Sequence, residues 1–152
     1  MHLYDPVQQN TEEALNEQIE ASAKLRVGGI SVQSREEISR RIEELDQEWD
    51  IERWLECNAS FLAFSGLLLG LVRNKKYFIV PGIVLPFLFN HAVRGWCPPI
   101  PLLRRLGIRT RREIDHEKYA LKALRGDFSN VVPQGEQGIH NIAEQAWEAA
   151  RP

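Results

Sequence analysis

The chain has 152 residues, 43% of them hydrophobic, and a formal net charge of −2. That length is enough to build a core, and near-neutrality gives no reason to expect nucleic acid as a partner. Two cysteines do not suggest a disulfide framework, and Met1–Asn10 lacks the basic-then-apolar start of a cleavable signal peptide, so none is expected.

Residues 1–33 form an acidic extension with five acids and two bases. Asn10 with Glu13 predicts a helix cap. Leu15, Ile19 and Ala23 then fall on one face of a helix from Thr11 to about Arg26, which Gly28-Gly29 should end. Residues 34–54 carry eight acids against four bases. Ser34 with Glu37 makes a capping box, and Ile38, Ile42, Leu45 and Trp49 share one helical face. An acidic helix is repelled by anionic headgroups, so this stripe is expected to bind protein rather than lipid.

Residues 55–97 contain the most informative feature. Cys57–Val72 carries no charge, nor does Tyr77–Val93, and only Arg73-Asn74-Lys75-Lys76 separates them. The pattern predicts a transmembrane helical hairpin. Each run spans roughly 24–26 Å, slightly short of a hydrocarbon core of about 30 Å. Trp54, Tyr77 and Trp96 flank the runs, where amphipathic rings favour the headgroup level. The competing reading is a buried core hairpin in a soluble helical protein, but the second run has no polar stripe to turn toward water. Ala59, Ala63, Gly66 and Gly70 lie on one face of the first span, ending in G-x-x-x-G, and are expected to pack helix against helix. Pro81 and Pro86 should bend the second span. Three bases in the loop against nine around the hairpin's other end place both termini in the cytoplasm.

Residues 98–128 begin with Pro98, Pro99 and Pro101, expected to form a stiff, extended exit linker. A basic helix follows, capped by Thr110 with Glu113 and ended by Gly126, with Ile114, Leu121 and Leu124 on one face. Since a hairpin returns both flanks to one side of the membrane, the acidic and basic helices are expected to pack together. Residues 129–152 read as a flexible link from Ser129 to Gly138 and a short amphipathic helix bearing Ile139, Ala143, Ala146, Trp147 and Ala150. Trp147 is the natural anchor for a partner. The fold class predicted is thus all-α, a membrane hairpin flanked by amphipathic cytoplasmic helices.

Little points to chemistry. Cys57 and Cys97 fall at the same end of the hairpin, with His91 and Asn90 about two turns inside. Two thiols and an imidazole give only three ligands in no recognised zinc spacing, so no metal or cofactor is expected. Cys57 reads as a packing residue. Cys97 reads either as part of a rigid exit linker or as a reactive thiol. No phosphate loop, nucleophile elbow or apolar carboxylate pair occurs.

Gly95-Trp96-Cys97-Pro98, with Leu106-Gly107-Ile108-Arg109-Thr110 downstream of two apolar spans, resembles the YgaP-like inner-membrane domain of bacteria. The resemblance covers roughly residues 50–110. It implies a two-helix membrane hairpin, with dimerisation as one option, in a family whose members are mostly of uncharacterised function. Some carry a rhodanese sulfurtransferase, which this sequence lacks, so no catalytic cysteine carries over. An insertion around Ile100–Arg105 also departs from the pattern. Two functions are therefore expected: a non-enzymatic adaptor or accessory subunit of an inner-membrane complex, or a thiol module using Cys97. Its partners would be the bilayer and a membrane protein or a second copy.

Overall fold

A computed structural model describes residues 5–129 together with Trp147 and Ala150. Every element among the described residues is helical, and no strand occurs. The chain divides into two units, one built from residues 5–19 and 49–112, the other from 20–48 and from 113 onward.

In the first unit Asp5 opens a short helix, α1 (Pro6–Gln9), that the sequence reading did not anticipate. The Asp5 carboxylate accepts the Val7 N–H at 3.0 Å, and Pro6 occupies the first turn, where its missing donor is harmless. Helix α2 (Glu13–Ile30) begins two residues later than expected and runs through Gly28-Gly29 rather than stopping there. Two glycines cost a helix roughly 2 kcal/mol relative to alanine. Val27 and Ile30 on either side of them pack against the buried core of the second unit, and that burial outweighs the backbone penalty.

Helix α3 (Arg35–Gln47) starts at Ser34, whose hydroxyl accepts the Glu37 N–H at 3.3 Å. It stops before Trp49, so Trp49 leaves the face it was assigned to and is exposed. The extended backbone at Glu48 and Asp50 causes the break, and the Asp50 carboxylate caps the next helix by accepting the Arg53 N–H at 2.7 Å. That helix, α4 (Ile51–Val72), begins six residues before the uncharged run.

A 3-10 turn at Lys75–Phe78, capped by Asn74, leads into α5 (Ile79–Arg94). These two helices are packed together through glycine. A Cβ placed on Gly66 would lie 2.6 Å from Pro81 Cδ and 2.7 Å from Val80 Cβ. One on Gly70 would lie 2.7 Å from the Phe78 ring. Ala59 and Ala63, on the same stripe, are half-buried. Two helical stretches, one ending at Val72 and one spanning Lys75–Arg94, are long and apolar enough to cross a membrane.

The proline-rich segment is not extended throughout. Pro99 adopts helical angles and Pro101 sits in the first turn of α6 (Ile100–Arg105), where a fixed φ suits a helix start.

The second unit is organised by α3 and α7 (Arg111–Arg125). Ile38, Ile42 and Leu45 bury against Ile114 and Leu121, all 5% exposed or less. Leu124 does not join them and is half exposed. Glu117 takes the inner position instead. Its fully buried carboxylate accepts Arg26 Nη2 at 3.0 Å and Arg41 Nη2 at 2.9 Å. Lys118 pairs with Asp46, and Arg125 donates to Ser39 Oγ at 2.9 Å. Acidic α3 and basic α7 thus meet through their apolar stripes and through ion pairs. Gly126, at φ +90°, ends α7.

Two outcomes are expected. Gly66→Val should weaken the α4–α5 contact by about 1–3 kcal/mol through overpacking, while Gly82→Ala, with no atom within 4 Å of the new methyl, should not destabilise. Chemical denaturation of the solubilised protein checks both. Glu117→Gln should cost about 2–4 kcal/mol, since it leaves two arginines facing a neutral amide. Amide exchange across α3 and α7 should speed accordingly.

Candidate functional site

Three of the motif residues, Gly95, Cys97 and Thr110, come together at the start of α1. Gly95 closes α5 in the left-handed conformation, at φ +68°, with its N–H on the His91 carbonyl at 2.7 Å. It also lies hard against Pro6: a Cβ there would fall 2.2 Å from Pro6 Cβ and 2.5 Å from its carbonyl carbon. Both constraints demand glycine. Asn10 reinforces the seat, donating from Nδ2 to the carbonyls of Pro6 at 2.7 Å and Arg94 at 3.0 Å.

Trp96 remains partly exposed, its ring 6.5 Å from that of Phe87, while its carbonyl accepts Asn90 Nδ2 at 2.8 Å. Cys97 turns inward and is 7% exposed, packed in a cluster with Val7, Ile51, Leu55 and Ile100. Pro98 and Pro99 stay on the surface. Gly107, at φ +81°, closes α6 by donating to the Arg104 carbonyl at 2.9 Å. Thr110 is fully buried, and its hydroxyl donates to Asp5 Oδ2 at 2.8 Å. Gly95, Cys97 and Thr110 therefore each meet one of the three consecutive residues Asp5, Pro6 and Val7.

Beside this seat lies a buried polar group. Arg104 is fully buried, donating from Nη2 to Asn16 Oδ1 at 2.6 Å and from Nη1 to the Ile108 carbonyl at 3.4 Å. The Arg109 carbonyl accepts the Ile51 N–H at 3.0 Å, fixing the start of α4. Glu52 accepts the Arg111 N–H at 3.4 Å.

As chemistry, the arrangement offers little to a nucleophile. Burial pushes the Cys97 thiol up, away from the thiolate that exchange or metal binding needs. Cys57 is exposed on α4, and both cysteines are free. Among the described residues, no group of three or more His, Cys, Asp or Glu side chains is placed to hold a metal ion.

The other predicted residues divide. Ile38, Ile42 and Leu45 are occupied by the chain's own α7, so they do not offer a surface to a separate protein. Trp49 packs edge-on against Trp54, ring centroids 5.3 Å apart, with the Arg53 guanidinium 4.7 Å above its ring. Trp147 is 70% exposed, whereas Ile139, Ala143 and Ala146, assigned to the same face, lie outside the described residues, as does the link 130–138. Sequence reasoning missed Asp5, Pro6, Asn16 and Arg104. Asp5-Pro6 carried a signal, an N-cap residue before a first-turn proline. Arg104 carried none, since a lone arginine in a basic segment reads as solvated.

No protein-family model, curated protein or solved structure matches the chain.

Alkylation of Cys97 in the folded protein should run at least about tenfold slower than in the denatured chain, because the thiol must first be uncovered. Since its folded pKa is raised, the thiolate fraction at neutral pH is below that of a free thiol. The rate should still climb beyond the pH at which an ordinary thiol levels off. Mass readout of labelled Cys97 over a pH series checks this.

Proposed function

We propose that this chain is a small integral membrane protein of the bacterial inner membrane. It crosses the bilayer twice, through α4 and α5, with both termini cytoplasmic. It serves as a non-enzymatic adaptor or accessory subunit of a membrane complex.

The observation that carries the membrane reading is apolar exposure. Phe61, Phe64, Leu71 and Val72 on α4, and Ile79, Phe89 and Val93 on α5, are each at least 60% exposed. A core hairpin of a water-soluble protein would bury these side chains. Left in water, so continuous an apolar surface would drive aggregation. Hydrocarbon removes that penalty, and a helix satisfies its own backbone donors and acceptors there. Trp54 and Trp96 near one end of the pair and Tyr77 at the other suit the two headgroup regions. Three bases in the loop against nine around the opposite ends favour cytoplasmic termini. The likeness of Gly95-Trp96-Cys97-Pro98 and Gly107…Thr110 to the YgaP-like inner-membrane domain supports the same two-span topology.

The adaptor reading rests on what remains uncovered outside the spans. With Ile38, Ile42 and Leu45 occupied, the contact residues available include Leu25, Val32, Leu102, Leu106, Tyr119, Leu124 and Trp147, all exposed. Burial of Cys97 weighs against the thiol-relay alternative.

The protein should stay with membranes through alkaline carbonate and leave them only with detergent. Asn74→Cys should react with an impermeant maleimide from outside the inner membrane, and a cysteine at Val32 only after lysis. A membrane complex should co-purify in mild detergent and be lost with Trp147→Ala or Leu124→Ala. Release by carbonate would remove the membrane reading. Retention without any co-purifying protein would remove the adaptor reading alone.

A further inference from the structure

Resting on the membrane reading above, we infer that the α4–α5 pair is matched to a thin bilayer. Its lipid-facing belt is capped at both ends and spans only about 25 Å, below the ~30 Å of an average hydrocarbon core.

Three features on the molecule fix that length. The first lies at the end where α4 begins and α5 stops. Ile51 and Leu55 are 0% and 5% exposed, packed on Val7, Cys97 and Ile100, so the first turn of α4 faces protein and cannot enter lipid. Charged Glu52, Arg53 and Glu56, with Trp54, a headgroup-level residue, occupy the rest of that stretch. Helix α5 stops at the same structure: Gly95 breaks it against Pro6, and Asn10 holds the Arg94 carbonyl. Neither helix can lengthen its apolar belt in this direction without dismantling the cluster.

The second feature is the opposite end. Arg73, Lys75 and Lys76 are exposed in the turn, and Asn74 caps it through the Lys76 N–H at 2.9 Å. A tight, capped turn bearing three cations belongs in the headgroup region. The uncharged belts between these limits, Cys57–Val72 and Tyr77–Val93, are close to one another in length. The two arms of the hairpin therefore share one dimension.

The third is rigidity. Gly66 meets Val80 and Pro81 while Gly70 meets Phe78, so the helices are interlocked and cannot slide to compensate. Tilting relieves a belt that is too long, but it shortens the reach of one that is too short. What remains is local thinning of the bilayer, or snorkelling of Arg73, Lys75, Lys76 and Arg94, each at a cost that rises with thickness. The partner this surface fits is therefore a bilayer of short or disordered acyl chains, and in a mixed membrane the protein gathers such lipids around it.

The test reconstitutes the full chain in phosphatidylcholine vesicles whose acyl chains form a series from dimyristoleoyl through dioleoyl to dierucoyl. Quenching of tryptophan fluorescence by the brominated analogue of each lipid, in competition with dioleoyl, gives relative binding constants. Dimyristoleoyl should bind at least about threefold more strongly than dierucoyl. In R73L/K76L, which extends both belts at the loop end, the preferred chain length should shift upward. Quenching that is equal across the series overturns the thickness match while leaving the membrane reading intact. A shift absent in R73L/K76L also overturns it. A chain that is quenched by no brominated lipid and stays in the aqueous phase removes both.

Discussion

The constraint on which the molecule depends is that the described residues leave Phe61, Leu71, Phe89 and their neighbours exposed. The glycine stripe explains how the chain reaches that state. Gly66 and Gly70 let α4 and α5 approach so closely that the small faces are consumed in the contact, which turns the large side chains outward. In water that is the wrong way round, because burial of large apolar groups is what stabilises a soluble core. In hydrocarbon it is the expected arrangement: apolar side chains gain nothing by hiding from lipid, and close backbone packing supplies the cohesion.

What anchors the pair is a second, ordinary core. Val7, Ile51, Leu55, Cys97 and Ile100 form an apolar cluster that would be unremarked in any soluble protein. Around it Asp5 bonds to Thr110, Asn10 holds Arg94, and Asn16 holds Arg104. The G-W-C-P motif is in this light a docking device. Its glycine makes a left-handed turn against Pro6, and its cysteine fills space in the apolar cluster. The second unit works by different means, with a carboxylate, Glu117, buried between two guanidinium groups beside a small aliphatic core. Removing Glu117 takes from two guanidinium groups the partner they share, whereas removing either arginine leaves the buried carboxylate one cation.

Much of this was legible from residue order. Uncharged runs of Leu, Phe and Ile broken by Arg73-Asn74-Lys75-Lys76 announce two apolar helices and a turn. The boxes at Ser34 and Thr110 mark where α3 and α7 begin. Where the reading failed, either tertiary contact outweighed local preference or one local preference outweighed another. Gly28-Gly29 should end a helix, yet Val27 and Ile30 gain enough by packing to carry α2 through. Three prolines suggested an extended linker, but proline also suits a first helical turn, and α6 uses it so. Trp49 fits the spacing of α3, yet Asp50 is the better cap for α4 and breaks the helix before it. The packing of α3 on α7 is expected from charge and hairpin topology. Since Ile38, Ile42 and Leu45 are spent in that contact, they are not left over as a surface for a separate protein.

The most direct measurement is collision of nitroxide labels with paramagnetic relaxers after reconstitution in lipid. Labels at Phe61, Leu71 and Phe89 should meet molecular oxygen freely and be shielded from a water-soluble nickel chelate, while one at Asn74 shows the reverse. Nickel access at Phe61 and Phe89 equal to that at Asn74 would place these side chains in water and contradict the account.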